Sequence, residues 1–135
     1  MKFSELELEL DILKALKEIG YEDMTPIQES AIPHVLAGRD LLALAETGSG
    51  KTGACAVPMV QRVDPDTPAI QALILVPTRE LALQYVQEID SIATHTKIVP
   101  FAVFGGFDMG IQRAKLRHGV HILVATPGRL IDFLW

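Results

Sequence analysis

The stretch Ala45-Glu46-Thr47-Gly48-Ser49-Gly50-Lys51-Thr52 decides the fold class of this chain. The apolar run Leu41–Ala45 leads into it and predicts a buried strand, and Gly53–Val57 after it can continue as a helix. A strand, a glycine-rich loop, Gly-Lys-Thr and a helix, in that order, form the context that a phosphate-binding loop requires. The sequence therefore predicts an α/β domain with a phosphate-binding loop.

The residue types in this loop suit an anion. Gly48 and Gly50 let the backbone turn tightly, so that several N–H groups can point at one phosphate, and the following helix adds the positive end of its dipole. Lys51 supplies an ammonium for the β- and γ-phosphates, and Thr52 supplies a hydroxyl for Mg²⁺. The alternative is a glycine loop in front of an ordinary helix.

Composition limits the size and class of the protein. The chain has 135 residues, of which 49% are hydrophobic, enough for one small domain. No apolar run approaches the length of a membrane span. The net charge of −5 argues weakly against nucleic acid as a partner. The single cysteine, Cys55, excludes an internal disulfide, so the cytoplasm is the default expectation, with the nucleus as the alternative for a eukaryotic source.

Two helices are predicted before the loop. Ser4 and Glu7 form a capping-box pattern at the start of an amphipathic helix that ends near Gly20. Its apolar positions are Leu6, Leu10, Leu13 and Leu16. Thr25 is the predicted N-cap of the second helix, which Pro33 either kinks or divides into two, with the end at Gly38.

Strand and helix patterns alternate after the loop. Apolar runs predict strands at residues 70–76, 99–104 and 121–125. Helical patterns follow after Pro77-Thr78, around residues 109–116 and through residues 129–134. The core side of the first of these helices carries Leu81, Tyr85, Ile89 and Ile92. This alternation predicts a parallel α/β sheet covered on both faces, with a polar surface loop at residues 63–68.

In a parallel sheet every strand-to-helix turn lies at the same edge. The turns at 46–52, 77–79, 105–108 and 126–129 should therefore share one face, and two of them carry an arginine, Arg79 and Arg129. Several anion-binding turns on one rim suit a polyanion. The alternative is that these residues are only the small and capping residues that such turns need.

Several segments resemble the motifs of one enzyme family, the DEAD-box RNA helicases. Gly20-Tyr21-Glu22-Asp23-Met24-Thr25-Pro26-Ile27-Gln28 looks like the family's Q motif, and Phe3 lies at the aromatic position upstream of it. The other matches are Ala45–Thr52 with motif I, Pro77–Ala82 with motif Ia, Gly105 and Gly106 with the double-glycine motif, Gln112 with the glutamine after it, and Thr126–Arg129 with motif Ib. These matches occur in the same order as in the family, and together they cover essentially the whole chain.

The resemblance implies a fold and a domain organisation. The fold is a parallel-sheet P-loop NTPase domain of the RecA-like type, incomplete at its C-terminus. N-terminal helices with the Q motif occupy residues 1–38, and a partial RecA-like ATP-binding domain occupies residues 39–135, within one structural domain.

The resemblance also implies ATP and Mg²⁺ as cofactors. Phe3 would stack on adenine, and Gln28 would pair with the adenine edge because one amide offers both a donor and an acceptor. Lys51 and Thr52 would serve catalysis, with Thr52 on Mg²⁺. The full implied nucleotide set is Phe3, Gly20, Thr25, Gln28, Thr47, Gly48, Ser49, Gly50, Lys51 and Thr52.

The partner that the resemblance implies is RNA. The implied RNA-binding residues are Pro77, Thr78, Arg79, Gly105, Gly106, Gln112, Thr126, Pro127, Gly128 and Arg129. Backbone N–H groups and arginines contact phosphates, which carry no base code, so binding should be independent of sequence.

The chain departs from the family pattern. Met24 stands where the family usually has proline, and Glu46 stands at a position that is often glutamine. The sequence contains no Asp-Glu-Ala-Asp string, which would hold Mg²⁺ and position the attacking water, and no second RecA-like lobe. We therefore expect this polypeptide alone to be inactive in ATP hydrolysis and RNA unwinding, and we expect bare sheet edges to allow self-association.

Three function hypotheses stay open on the sequence. The first is an ATP- and RNA-binding segment of a helicase that couples RNA-stimulated ATP hydrolysis to local duplex unwinding. The second is a non-catalytic nucleotide- or RNA-binding fragment. The third is a P-loop NTPase of another class, which a lack of preference for ATP over GTP would favour.

The remaining chemically distinctive side chains suggest no second site. The histidines are His34, His95, His118 and His121, and they show no metal-ligand spacing. The last two are expected to be solvated or strand-end residues. Cys55 is expected to pack in its helix, and Tyr85, Phe101 and Phe104 are expected in the core rather than against bases.

Overall fold

The structure is a computed structural model that describes residues 1–40, 50–106 and 108–134. The predicted strand Leu41–Ala45 and the loop residues Glu46, Thr47, Gly48 and Ser49 lie outside the described residues. The chain divides into two compact units. One comprises Met1–Arg62 with Ser91–Thr96, and the other comprises Val63–Asp90 with Lys97–Trp135.

The first unit begins with a 3₁₀ turn at Phe3–Glu5, followed by helix α1 at Leu10–Glu18. The predicted helix start at Ser4 is wrong. Lys2 forms a bridge with Asp23, and the Phe3 N–H donates to the Glu22 carbonyl at 2.9 Å, so this segment is held in an extended pairing instead of a helix. The predicted end is confirmed, because Gly20 adopts a φ of +84° just after the helix.

The buried face of α1 also differs from the predicted leucine stripe. Ile12, Ala15 and Leu16 are buried, whereas Leu10 is 81% exposed. Since the helix begins later than predicted, Leu6 lies outside it and the burial no longer follows the leucine spacing.

Helix α2 spans Pro26–Leu36, with Thr25 as its N-cap, as predicted. Pro33 lies inside a single helix, and Gly38 adopts a φ of +81° after its end. Helix α3 spans Lys51–Arg62 and packs against α2. The predicted helix after the glycine loop is therefore confirmed.

The second unit contains three parallel strands in the order β1-β3-β2. Their bounds are Ala72–Leu75 for β1, Pro100–Val103 for β2 and Ile122–Ala125 for β3. Helix α5 spans Met109–Arg117 and helix α6 spans Pro127–Leu134, while helix α4 at Arg79–Ile92 begins in this unit. The predicted parallel α/β arrangement is confirmed.

Coverage of the sheet differs between strands. All four residues of β3 are buried, as expected for a central strand with both faces covered. On β1, Leu73 is 45% and Leu75 is 55% exposed, so the expectation of full coverage is wrong there. β1 is an edge strand of the described sheet, and no described element covers these two side chains. Self-association through this edge stays a prediction.

His121 joins three segments of the second unit. The ring is only 6% exposed, so the expectation of a solvated side chain is wrong, although its place at the start of β3 is as predicted. Its Nδ1 accepts a hydrogen bond from the Val99 N–H at 2.9 Å, which leaves Nε2 to donate to the Pro65 carbonyl at 3.1 Å. The predicted polar loop at 63–68 is thereby tied to the starts of β2 and β3.

Two further observations concern membranes and metals. Across the described ranges, no helix is long and apolar enough to cross a membrane. Within the same ranges, no group of three or more His, Cys, Asp or Glu side chains is placed to hold a metal ion. His95 instead pairs with Glu18, and this hydrogen bond lowers the pKa of the Glu18 carboxyl.

Replacing His121 with alanine should destabilise the fold. His121→Ala leaves the half-buried Val99 N–H and Pro65 carbonyl without their partners, so we expect the free energy of unfolding to fall by about 1–3 kcal/mol. Urea denaturation followed by circular dichroism measures this loss. His118→Ala is the matched control, because His118 is exposed; equal losses in the two variants would contradict the assigned role.

Candidate functional site

The start of α3 presents N–H donors without partners in the helix and a lysine without an ion pair among the described residues. The first helical hydrogen bond runs from the Ala54 N–H to the Gly50 carbonyl at 3.0 Å, so the N–H groups of Lys51–Gly53 have no partner within the helix. Lys51 is exposed and makes no ion pair with another described residue. Thr52 is half-buried beside it. These groups fit a phosphate, and a hydroxyl oxygen is a donor that Mg²⁺ accepts.

The side chain of Gln28 connects α2 to the glycine that precedes α3. Its Oε1 accepts from the Thr25 N–H at 2.9 Å, and its Nε2 donates to the Gly50 carbonyl at 3.2 Å. Gln28 is only 4% exposed, so the alternative of a solvated helix residue is wrong. Both ends of the amide are used within the protein, and adenine pairing by Gln28 stays a prediction.

Thr25 lies at the same junction. Thr25 and Gln28 have the arrangement of a capping box. One of its two hydrogen bonds is present, from the Thr25 N–H to Gln28 Oε1. The Thr25 Oγ1 is buried without a partner among the described residues. A threonine hydroxyl is therefore left facing the glycine end of the loop.

Two glycines permit this close approach. A Cβ on Gly50 would lie 2.6 Å from Thr25 Oγ1 and 2.7 Å from Gln28 Nε2, and the φ of Gly50 is +93°. A Cβ on Gly53 would lie 2.8 Å from Gln28 Nε2 and 3.3 Å from Tyr21 Cε2. Any side chain at these positions would displace the amide that joins α2 to the loop.

The Tyr21 ring borders α3. The Phe3 ring is 2% exposed and stacks on Tyr21, with 5.5 Å between ring centroids and 25° between the planes. Tyr21 is half-buried and its ring meets α3 at Gly53. The sequence interpretation overlooked Tyr21, although its position directly after Gly20, within the same motif, was a usable signal. Phe3 supports that ring from behind, and adenine stacking by Phe3 stays untested.

Three turns of the second unit lie at one edge of the sheet. Leu75 and Val103 both pair with Ala125, so the three strands end level with one another. The Val76 N–H donates to the Ala125 carbonyl and the Thr126 N–H donates to the Val103 carbonyl, which ties the turns together. The exposed residues of these turns, among those that the structure describes, are Pro77, Thr78, Arg79, Gly105, Gly106, Asp108, Pro127 and Gly128.

Two helices, α4 and α6, begin at this rim. Thr78 Oγ1 accepts from the Leu81 N–H at 3.2 Å and so caps α4. Pro127, Gly128 and Arg129 lie within the first turn of α6, which begins earlier than the predicted start at Arg129. The rim therefore presents the N-terminal ends of α4 and α6, where N–H groups favour anions.

The two arginines of the rim differ in access. The Arg79 side chain is 55% exposed, with its Cζ over the Phe104 ring at 5.9 Å from the centroid and its Nε 3.9 Å from Glu80 Oε1. The Arg129 side chain is 12% exposed, and its Nε lies 3.8 Å from Asp132 Oδ2. Arg129 Nε and Nη1 have no hydrogen-bond partner among the described residues. Arg79 is therefore the more accessible cation.

Gln112 is turned into the protein. Its side chain is 1% exposed, and its Nε2 donates to the Phe104 carbonyl at 3.1 Å. Its Oε1 is buried without a partner among the described residues. Direct contact of Gln112 with RNA stays a prediction.

Cys55 on α3 has no chemical role at this site. Burial raises the pKa of its thiol, which keeps the group protonated and unreactive. The side chain is half-buried in the helix, which agrees with the prediction of a small packing residue.

Comparison with known proteins identifies the family. The model of the DEAD/DEAH box helicase family matches residues 25–135. This chain belongs to the DEAD/DEAH box helicases.

Individual DEAD-box proteins match over almost the whole chain. The DEAD-box ATP-dependent RNA helicase CshA of Bacillus licheniformis is 42% identical over 132 residues, which are 98% of this chain and 27% of that protein. The ATP-dependent RNA helicase DeaD of Escherichia coli is 47% identical over 133 residues, 98% of this chain and 21% of that protein. This DEAD-box chain thus spans about a quarter of the length of the curated relatives that it matches.

A solved structure shows the same fold. The crystal structure of a DEAD box protein from Methanococcus jannaschii superposes with a TM-score of 0.93 at 38% identity, covering 99% of this chain and 37% of the other. The predicted fold class is thereby confirmed as that of a DEAD-box helicase domain.

The packing around Gly53 gives a stability test of the site. Helix propensity alone predicts that Gly→Ala stabilises a helix by about 1 kcal/mol. In Gly53→Ala the new methyl group displaces the buried Gln28 amide, so we expect the free energy of unfolding to fall by about 1–3 kcal/mol instead. Urea denaturation of both variants decides the sign. Gly128→Ala is the control, because a Cβ there meets nothing within 4 Å; a rise for Gly53→Ala as well would show that the site has room.

Proposed function

We propose that this chain is the ATP- and RNA-binding segment of a DEAD-box RNA helicase, whose parent activity is RNA-stimulated ATP hydrolysis coupled to local opening of RNA duplexes. The observation that carries the proposal is the hydrogen bond from Gln28 to the Gly50 carbonyl, at 3.2 Å, which joins the Q motif to the residue before Lys51. Family membership and the RNA helicase names of the relatives support it.

The nucleotide half of the proposal assigns each group a task. The free N–H groups at the start of α3 and the ammonium of Lys51 bind the phosphates of ATP. The Thr52 hydroxyl holds Mg²⁺, which neutralises phosphate charge when bound. Tyr21 supplies the aromatic surface for the adenine, and Phe3 supports the Tyr21 ring. Gln28 gives up one internal hydrogen bond and forms one with the adenine edge instead.

The RNA half of the proposal concerns the rim of the second unit. Arg79 and the turn at Gly105 and Gly106 bind phosphates of the RNA backbone, together with the N-terminal end of α6. Since these groups read no base edge, binding is independent of RNA sequence.

Hydrolysis is assigned to the parent enzyme rather than to this polypeptide. The sequence contains no Asp-Glu-Ala-Asp string. Phosphoryl transfer depends on positioning the attacking water and on neutralising charge, and we propose that this chain lacks the carboxylates for both tasks. A second RecA-like lobe is the proposed partner that completes the ATP site.

The nucleotide assignment predicts a preference for ATP over GTP. Lys51→Ala should weaken Mg-ATP binding by about tenfold or more, since a charge-assisted hydrogen bond contributes about 1.5–3 kcal/mol. Gln28→Ala should reduce the preference for ATP, because the base edge loses its amide. Calorimetric titration with Mg-ATP and Mg-GTP measures both effects.

The control for that titration is Lys115→Ala, an exposed lysine on α5 that should bind ATP as the wild type does. Equal affinity for the two nucleotides would favour a P-loop NTPase of another class. Phosphate release is measured in the same samples, and turnover above that of Lys51→Ala would overturn the assignment of hydrolysis to the parent enzyme.

The RNA assignment predicts that Arg79 contributes to the salt dependence of RNA affinity. Arg79→Ala should weaken binding to a short oligo-uridine and lower the slope of log affinity against log salt by about 0.7, the value for one phosphate contact on a single strand. Arg117→Ala, an exposed arginine at the far end of α5, is the matched control. Fluorescence anisotropy at several salt concentrations measures the slopes. The same slope in the wild type, Arg79→Ala and Arg117→Ala would exclude Arg79 as a phosphate contact.

A further inference from the structure

The buried amide of Gln112 fixes the backbone just before the double-glycine turn. α5 is held at its start by Asp108, whose Oδ1 accepts from the Ile111 N–H at 2.9 Å. From the next residue along this helix, Gln112 Nε2 donates to the Phe104 carbonyl at 3.1 Å. Gln112 is 1% exposed, so water does not compete for this hydrogen bond. The peptide between Phe104 and Gly105 is thereby fixed relative to α5.

The side chain of Phe104 carries the accessible arginine of the rim. The Arg79 Cζ lies 5.9 Å from the centroid of the Phe104 ring, within the range of a cation–π contact. A Cβ on Gly106 would lie 3.9 Å from Arg79 Nη1, so the guanidinium also borders the glycine turn. The Arg79 Nε lies 3.9 Å from Glu80 Oε1, so the N–H groups of Nη1 and Nη2 are the donors that can reach a phosphate.

We infer that Phe104 and Gln112 are positioning residues for RNA: Gln112 holds the Phe104 carbonyl, and the Phe104 ring holds the Arg79 guanidinium beside the double-glycine turn. A freely rotating arginine loses rotamer freedom when it binds a phosphate, and an arginine already held on a ring loses less. This inference rests on the proposed RNA binding of Arg79, and it assigns to Phe104 a role that the sequence interpretation gave to the core.

A double-mutant cycle tests whether Phe104 acts through Arg79. Phe104→Leu keeps an apolar side chain and removes the ring. It should weaken binding to a short fluorescein-labelled oligo-uridine by about two- to fivefold, the equivalent of an exposed cation–π contact, without changing the salt slope. In the Arg79→Ala background, Phe104→Leu should have no further effect on binding. Phe104→Tyr, which keeps the ring, should bind as the wild type does.

Phe101→Leu, on β2 three residues before Phe104, is the matched control. Phe101 packs against the buried cluster of Val103, Leu123 and Ala125, whereas the ring that lies against Arg79 is that of Phe104. The Phe101→Leu variant should be less stable in urea than the wild type and should bind RNA with unchanged affinity. Equal weakening by Phe101→Leu and Phe104→Leu would show that core packing, not positioning, sets the affinity.

The NMR signal of the Arg79 Nε–H group reports positioning without RNA. The wild type should show a ring-current shift of this signal, because the Phe104 ring lies against Arg79. Phe104→Leu should lose that shift, and so should Gln112→Met, which keeps the volume and removes the donor. The signal should be unchanged in Phe101→Leu. An unchanged signal in Phe104→Leu would overturn the inference whatever the RNA data show.

The two proposals fail in different ways. A wild-type chain that binds no oligo-uridine would overturn the proposed RNA binding, and this inference with it. A wild-type chain that binds, combined with equal effects of Phe104→Leu in the presence and absence of Arg79, would overturn the inference alone.

Discussion

The first unit depends on one buried amide. Gln28 accepts from the N-cap of its own helix and donates to the Gly50 carbonyl, so the start of α2 and the start of α3 are joined by the two ends of a single side chain. A buried donor or acceptor that loses its partner carries a desolvation cost. The contact therefore fixes Gly50 and Gly53 as glycines, because a Cβ at either position would occupy the space of that amide. A displacement of the start of α2 is consequently transmitted to Gly50 through Gln28.

The second unit depends on register. Leu75, Val103 and Ala125 lie level across the sheet, and hydrogen bonds from Val76 and Thr126 continue this alignment into the turns. Strands that end together place their turns together, which is why residues far apart in sequence share one rim. His121 performs the corresponding task at the other end of the strands, where its two ring nitrogens join Val99 to Pro65. The rim is thus held in place by backbone contacts behind it.

Particular elements show how far sequence reasoning reaches. The N-cap at Thr25, the helix after Gly50 and the three parallel strands follow from local signals, because capping chemistry and apolar runs act within a few residues. The pattern at Ser4 and Glu7 is equally local, yet no helix begins there. Pairing of Lys2 and Phe3 with residues 22–23 overrides it, and such pairing between distant segments leaves no periodic trace in the sequence.

The sequence by itself determined the motifs, their order, the α/β class and the chemical types that the sites offer, because each depends on residue identity and short-range geometry. Only the tertiary structure decided which of those residues are accessible. It buried Phe3 and exposed part of Tyr21, turned Gln112 inward to the Phe104 carbonyl, and left Arg79 more open than Arg129. The physical reason is that burial and hydrogen-bond partners depend on which distant segments meet, and the spacing of residues along the chain does not encode that.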